Sequence, residues 1–353
     1  MLKTFRHIIF IAGIFLFAGS CQNIFSERSS EETTNSKIID STSHFAVKGV
    51  GLVATVNEID TNAFLEIRNI NANAIAIMPY GFCSEEQPVV AYNSPRQWWG
   101  EKDIGVATCI KIAREKNLAV MVKPHLWIRD GQYSGQFDLA NDDAWKLWED
   151  GYLNYIIHFA KIADTAGADI FCIGTELGNS IKERPVFWDR LIDSVRQVFH
   201  GKLTYAANWD DYDDVPFWKK LDYIGIDAYF PLSGSNTPST DQLAKGWRKY
   251  LPPLEKIAKE NNRRVLFTEY GYRNSNACAA EPWKENGNDA NDVAQANAYE
   301  AFYESFSNKN WFAGGFVWKW YAEHYFHKKN KVDFTPQGKP AANVIERWYR
   351  QSR

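Results

Sequence analysis

Residues 145–177 read WKLWEDGYLNYIIHFAKIADTAGADIFCIGTEL. Over 145–166 apolar residues return every three or four positions, the period of a helix that buries one face. Ile170-Phe171-Cys172-Ile173 then forms a short apolar run of strand length, closed by Gly174-Thr175-Glu176. Helix followed by buried strand is one step of a repeated βα unit, and the polar residue that closes the strand lies where such units expose chemistry.

Outward from this step the same alternation covers the chain from residue 46. Strands are predicted over 47–54, 74–79, 118–124, 170–174, 203–207, 223–228, 265–268 and 315–318, with amphipathic helices including 105–116, 145–166, 186–199, 247–260 and 293–306. Eight strands alternating with helices favour an α/β fold, a single closed (β/α)8 TIM barrel over 46–353. An open doubly wound sheet is the alternative, but no GxGxxG follows the first strand, so a dinucleotide site has no support. No second domain and no repeat of fixed period is visible.

Composition narrows the partners. Forty Lys and Arg against 43 Asp and Glu give a formal charge of −3, with no basic stripe for a nucleic acid to follow. Aromatic residues make up 15% of the chain. They suit either a large aromatic core or flat surfaces that stack on sugar rings.

The first 20 residues read as an export signal, with Lys3 and Arg6 ahead of an apolar run, 8–18, too short to span a bilayer. Ala18-Gly19-Ser20-Cys21 resembles a bacterial lipobox, although Ala18 stands where Leu is usual. That resemblance implies lipidation at Cys21 and anchoring at the outer membrane or cell surface; ordinary secretion and an uncleaved anchor remain alternatives. Residues 21–45 are polar and non-periodic, a disordered tether. The acidic stretch after the cysteine resembles the surface-export signal of Bacteroidetes lipoproteins.

Of the remaining cysteines, Cys109 and Cys172 fall inside predicted elements as buried hydrophobes, while Cys83 and Cys278 fall in loops where a bridge is open. Neither a CxxC pair nor a zinc pattern is present. His324 and His327 have i,i+3 spacing but no third ligand, so no metal and no cofactor is expected.

In a (β/α)8 barrel the active site forms at the C-terminal ends of the strands. Strand ends here read Pro79-Tyr80-Gly81-Phe82, Lys123-Pro124-His125-Leu126-Trp127, Gly174-Thr175-Glu176, Asn208-Trp209, Asp227-Ala228-Tyr229, Thr268-Glu269-Tyr270 and Trp318-Lys319-Trp320. Only strands four and seven place a glutamate directly after the apolar run, and glycoside hydrolysis requires two carboxyls across the scissile bond. Glu176 and Glu269 are the candidate pair, one protonated and one ionised. A purely structural salt bridge is the competing reading for either.

These strand-end glutamates resemble clan A of the glycoside hydrolases, and the fuller motif set resembles glycoside hydrolase family 113, whose characterised members are β-mannanases, over about 48–322. The resemblance implies that Glu176 is the acid/base and Glu269 the nucleophile of a retaining enzyme. It departs from the clan pattern at Thr175, where many members have the Asn that binds the sugar 2-hydroxyl; Asn208 is a candidate to share that role.

Other strand-end residues receive supporting roles. Tyr229 is expected to donate to Glu269, and Lys123 and His125 to bind sugar hydroxyls or serve structure. Trp318 is expected to floor the cleaved-sugar site, with Trp127, Trp209 and Trp320 as candidate walls and Tyr80 as a further contact. Expected overall is a monomeric hydrolase of β-linked polysaccharide, most simply β-1,4-mannan. The alternatives are a clan A hydrolase of β-glucan or xylan, and a catalytically silent glycan-binding surface lipoprotein.

Overall fold

A computed structural model describes residues 39, 45–129, 132–284, 289–322 and 332–351. The leader, Cys21, most of the tether, His324 and His327 lie outside the described residues.

In chain order the strands are β1 (Val47–Val53), β2 (Ala74–Ile77), β3 (Tyr80–Cys83), β4 (Ala119–Val122), β5 (His125–Ile128), β6 (Ile170–Thr175), β7 (Lys202–Asn208), β8 (Tyr223–Asp227), β9 (Arg264–Tyr270) and β10 (Phe312–Tyr321). Eight of them close a parallel barrel in the order β1-β10-β9-β8-β7-β6-β4-β2. The other two, β3 and β5, pair separately as a short ribbon. The (β/α)8 expectation is met. The ribbon was not foreseen: the runs expected over 74–79 and 118–124 end at Ile77 and Val122, and a second strand starts within three residues of each.

Helices surround the barrel: α1 (Asn62–Asn69), α2 (Asp103–Glu115), α3 (Asp142–Ala166), α4 (Gly178–Glu183), α5 (Pro185–Arg196), α6 (Thr240–Trp247), α7 (Leu251–Asn261), α8 (Asp292–Phe306) and α9 (Pro340–Gln351). The long α3 is bounded by its caps. Asn141 accepts from the Ala144 N–H at 3.0 Å, and Gly167, at φ +87°, ends the helix in a left-handed turn. The single helix expected over 247–260 is two. Trp247 ends α6, and prolines occupy the first turn of α7, where a residue without an N–H costs least.

Side-chain alternation divides the apolar residues into two cores. Ala74, Ala76, Met78, Ala119, Met121, Leu266 and Phe316 fill the barrel. Their neighbours Ile75, Ile77, Val120 and Val122 face outward into the larger core beneath the helices. Gly314 is required where it stands: φ is +111°, and a Cβ would lie 2.0 Å from the Val47 carbonyl oxygen.

Much of the aromatic content is this outer shell. Trp148, Trp188, Trp218 and Trp247 are fully buried, and Trp320, expected as a wall of the sugar site, is only 4% exposed and belongs to the same shell. The correction follows from strand geometry: two residues apart on a regular strand share a face, but the β10 register shifts through this region, so Trp318 and Trp320 part company. The four described cysteines are free and buried, Cys83 and Cys278 included.

Candidate active site

The C-terminal strand ends enclose a cavity of about 660 Å³. Its lining brings together Glu176, Glu269, Tyr80, His125, Trp127, Asn208, Trp209, Tyr229 and Trp318. Lys123 and Trp320, also expected here, do not reach its surface.

Glu269, on β9, is held through both carboxylate oxygens. The Tyr229 hydroxyl donates to Oε2 at 2.8 Å, and the Lys123 ammonium donates to Oε1 at 2.5 Å. Lys123 has no solvent exposure and also donates to both oxygens of Asp227 at 2.8 Å. The expected bond from Lys123 to a sugar hydroxyl is therefore corrected, because its donors are all engaged inside the protein by two carboxylates. Thr268 completes the cluster by donating to Asp227 Oδ1 at 2.7 Å.

Asp227 is the residue that strand-end reading passed over. It closes β8 just as the glutamates close their strands, but only glutamates were expected to carry the chemistry. Its part is visible only when β4, β8 and β9 are assembled, because a buried ammonium needs compensating charge.

The two candidate carboxyls occupy opposite electrical settings. Burial raises the Glu269 pKa, but the Lys123 charge and the hydrogen bonds from Lys123 and Tyr229 outweigh it and hold the carboxyl below its ordinary range. Glu176 is pushed well above its ordinary value, first by burial and then by the negative charges of Asp227 and Glu269. No side-chain hydrogen bond or ion pair to its carboxyl is found among the described residues. Its backbone is unusual too. Glu176 has φ +50°, a left-handed conformation costing about 1–3 kcal/mol in a non-glycine residue. The turn is pinned on either side of its peptide by Glu176 N–H donating to the Ala206 carbonyl at 2.8 Å and Leu177 N–H donating to the Tyr205 hydroxyl at 2.7 Å.

Burial, reinforced by the Lys123 charge, pushes the His125 pKa down to about 3, so the ring is neutral near pH 7. Its Nε2 lies 3.5 Å from Glu269 Oε1 without a hydrogen-bond partner among the described residues. That nitrogen is itself buried against Glu269, and it is the rest of the ring that borders the cavity. Thr175 directs its hydroxyl to the Pro124 carbonyl at 3.2 Å. The Asn208 amide donates to Asp210 at 2.8 Å and accepts from the Trp209 N–H at 2.9 Å. Trp209 stacks on Trp283, ring centroids 5.2 Å apart and 18° from parallel. Trp283, Tyr133 and Phe334 also line the cavity; they sit on loops beyond the strand ends, where nothing in a strand pattern points to them.

Residues 60–339 match the model of Glycoside Hydrolase Family 113. Among solved structures, the family 113 β-mannanase AaManA from Alicyclobacillus acidocaldarius in complex with ManMIm is 24% identical, covering 87% of this chain and 98% of its own, with a TM-score of 0.74. A second family 113 β-1,4-mannanase complex is 23% identical over 86% of this chain and 99% of its own, TM-score 0.73. A β-glucuronidase from Ruminococcus gnavus is 13% identical over 88% of this chain and 52% of its own, TM-score 0.58. At these identities the structural likeness speaks for the fold. Among curated protein sequences none matches.

Proposed function

The chain belongs to glycoside hydrolase family 113, and from that premise we propose that it is a retaining β-mannanase, with Glu269 as nucleophile and Glu176 as acid/base. The observation that carries the division of roles is the contrast between the carboxyls: Glu269 bonded by Lys123 and Tyr229 and held below its ordinary range, Glu176 pushed well above its own by burial and neighbouring negative charge. Retention rests on the resemblance to clan A.

In the first step Glu269 attacks the anomeric carbon as the glycosidic C–O bond breaks, and the Glu176 proton passes to the departing oxygen. A glycosyl ester forms on Glu269 and the leaving chain departs as an alcohol. Esterification removes the Glu269 charge, which is one of the causes holding the Glu176 pKa up. Glu176, now a carboxylate with a lower proton affinity, takes a proton from water as that water attacks the same carbon. The ester bond breaks, and both carboxyls return to their starting states. The His125 ring and the Trp318 face are the proposed sugar contacts, and the Trp209–Trp283 stack offers a platform for a neighbouring unit.

Mannan as the polymer rests on family membership and on what the similar structures are described as cleaving. Reducing-sugar release from mannans, β-glucans and xylans by residues 40–353 tests it. Release from konjac or locust-bean mannan is expected; untouched mannan with a degraded glucan or xylan overturns the substrate and leaves the family. For the leader we propose lipidation at Cys21, which mass spectrometry of the N-terminus from the native host checks.

A further inference from the structure

The β3–β5 ribbon pairs Tyr80 with His125, Gly81 with Leu126, Phe82 with Trp127 and Cys83 with Ile128. Side chains alternate along a strand, so Tyr80, Phe82, His125 and Trp127 share one face and the intervening residues the other. The second face is buried. The first begins inside the catalytic cavity, at Tyr80 and His125, and runs outward to Phe82 and Trp127, which are 36% and 54% exposed. Three of its rings are in series: Tyr80 lies 5.3 Å from His125 and 6.4 Å from Phe82, centroid to centroid.

Trp127 borders two spaces. It lines the catalytic cavity and also a second cavity of about 740 Å³, whose other walls include Phe82, Val89, Arg129, Glu86 and Leu147. The outer wall is built rather than loose. Phe82 and Ala91 exchange backbone hydrogen bonds of 2.8 Å in both directions, and Ser84 N–H donates to the Gln87 carbonyl at 3.2 Å. Large apolar groups held exposed on fixed backbone, beside one cation and one carboxylate, mark a binding surface. Sugar rings, with apolar faces and a hydroxyl rim, match that mixture.

We propose that this ribbon face and the second cavity form a distal track for the glycan, binding sugar units remote from the cleaved bond and favouring attack within long chains. The occupant is assigned by continuity, since the track leaves the catalytic cavity through a shared tryptophan. The proposal rests on the glycoside hydrolase reading of the site and is independent of mannan as the polymer.

The test compares kcat/KM for a hexasaccharide and for an aryl disaccharide glycoside, both taken from whichever β-glycan the polymer panel shows to be cleaved. Failure on mannan alone therefore changes the sugar used and leaves this comparison intact. Phe82→Ala and, separately, Leu147→Ser on the exposed side of α3 are each expected to lower the hexasaccharide-to-disaccharide ratio, Phe82→Ala by about tenfold. Equal loss on both substrates, or a ratio within about twofold of the parent in both variants, overturns the track. So does a dimer in sedimentation that Phe82→Ala dissolves, because the occupant is then a second copy of the chain.

Discussion

Lys123 Nζ lies 2.8 Å from both carboxylate oxygens of Asp227 and from the same position donates to Glu269 Oε1. One fully buried ammonium thus serves two carboxylates on neighbouring strands, and it ties the charge of the proposed nucleophile to the stability of the barrel mouth.

Removing that ammonium leaves buried negative charge uncompensated. Lys123→Met is expected to cost about 3–5 kcal/mol in urea unfolding and to abolish turnover. Asp227→Asn should be milder and more informative. Asp227 is among the charges that raise the Glu176 pKa, so its loss lowers that pKa, and the alkaline limb of the kcat/KM profile moves to lower pH. An alkaline limb that stays in place contradicts the coupling.

Tyr229→Phe deletes one hydrogen bond to Glu269 while keeping the ring. A bond to a charged group contributes about 1.5–3 kcal/mol, so kcat/KM should fall roughly ten- to a hundredfold. With the carboxylate less stabilised, the Glu269 pKa rises and the acidic limb shifts to higher pH. Loss of activity with an unmoved acidic limb points to a steric role instead.

Glu176 gives a stability test with a definite sign. Its folded pKa is raised above the ordinary 4.5, so its contribution is fully present below that pH and is lost as pH rises toward the folded pKa. Glu176→Gln, which never ionises, should match the parent in Tm near pH 4 and exceed it by a growing margin toward pH 8. A constant difference across that range contradicts a protonated Glu176.

The barrel was legible because each strand is an apolar run closed by a polar residue, and Glu176, Glu269 and Tyr229 stood out by that rule. Lys123 was expected within its strand but lies one residue past the end of β4, and a sugar hydroxyl and a structural role were both open to it: sequence shows a lysine at a strand end, but whether its charge meets water, sugar or a carboxylate depends on two other strands. Asp227 carried the same local signal and was passed over for being an aspartate. Trp320 shows the opposite failure, since period-two alternation is only as good as a regular register, and β10 is shifted. The β3–β5 ribbon was hidden because Pro79 and Pro124 read as strand ends, although a second strand follows each.

The two tryptophans of β10 should separate by readout. Trp320, buried in the helix-facing core, is expected to cost about 3–5 kcal/mol on replacement by alanine, measured by denaturant unfolding. Trp318 lines the cavity, and Trp318→Ala should act chiefly on kcat/KM. Equal destabilisation by both would remove Trp318 as a sugar floor.

The anomeric configuration of the first product, followed by proton NMR on the unaltered enzyme before mutarotation, tests the double displacement most directly. A β-configured reducing end appearing first, with the α form growing in only later, is expected if Glu269 forms a glycosyl ester. An α-configured first product would mean direct attack by water, and Glu269 would not be the nucleophile.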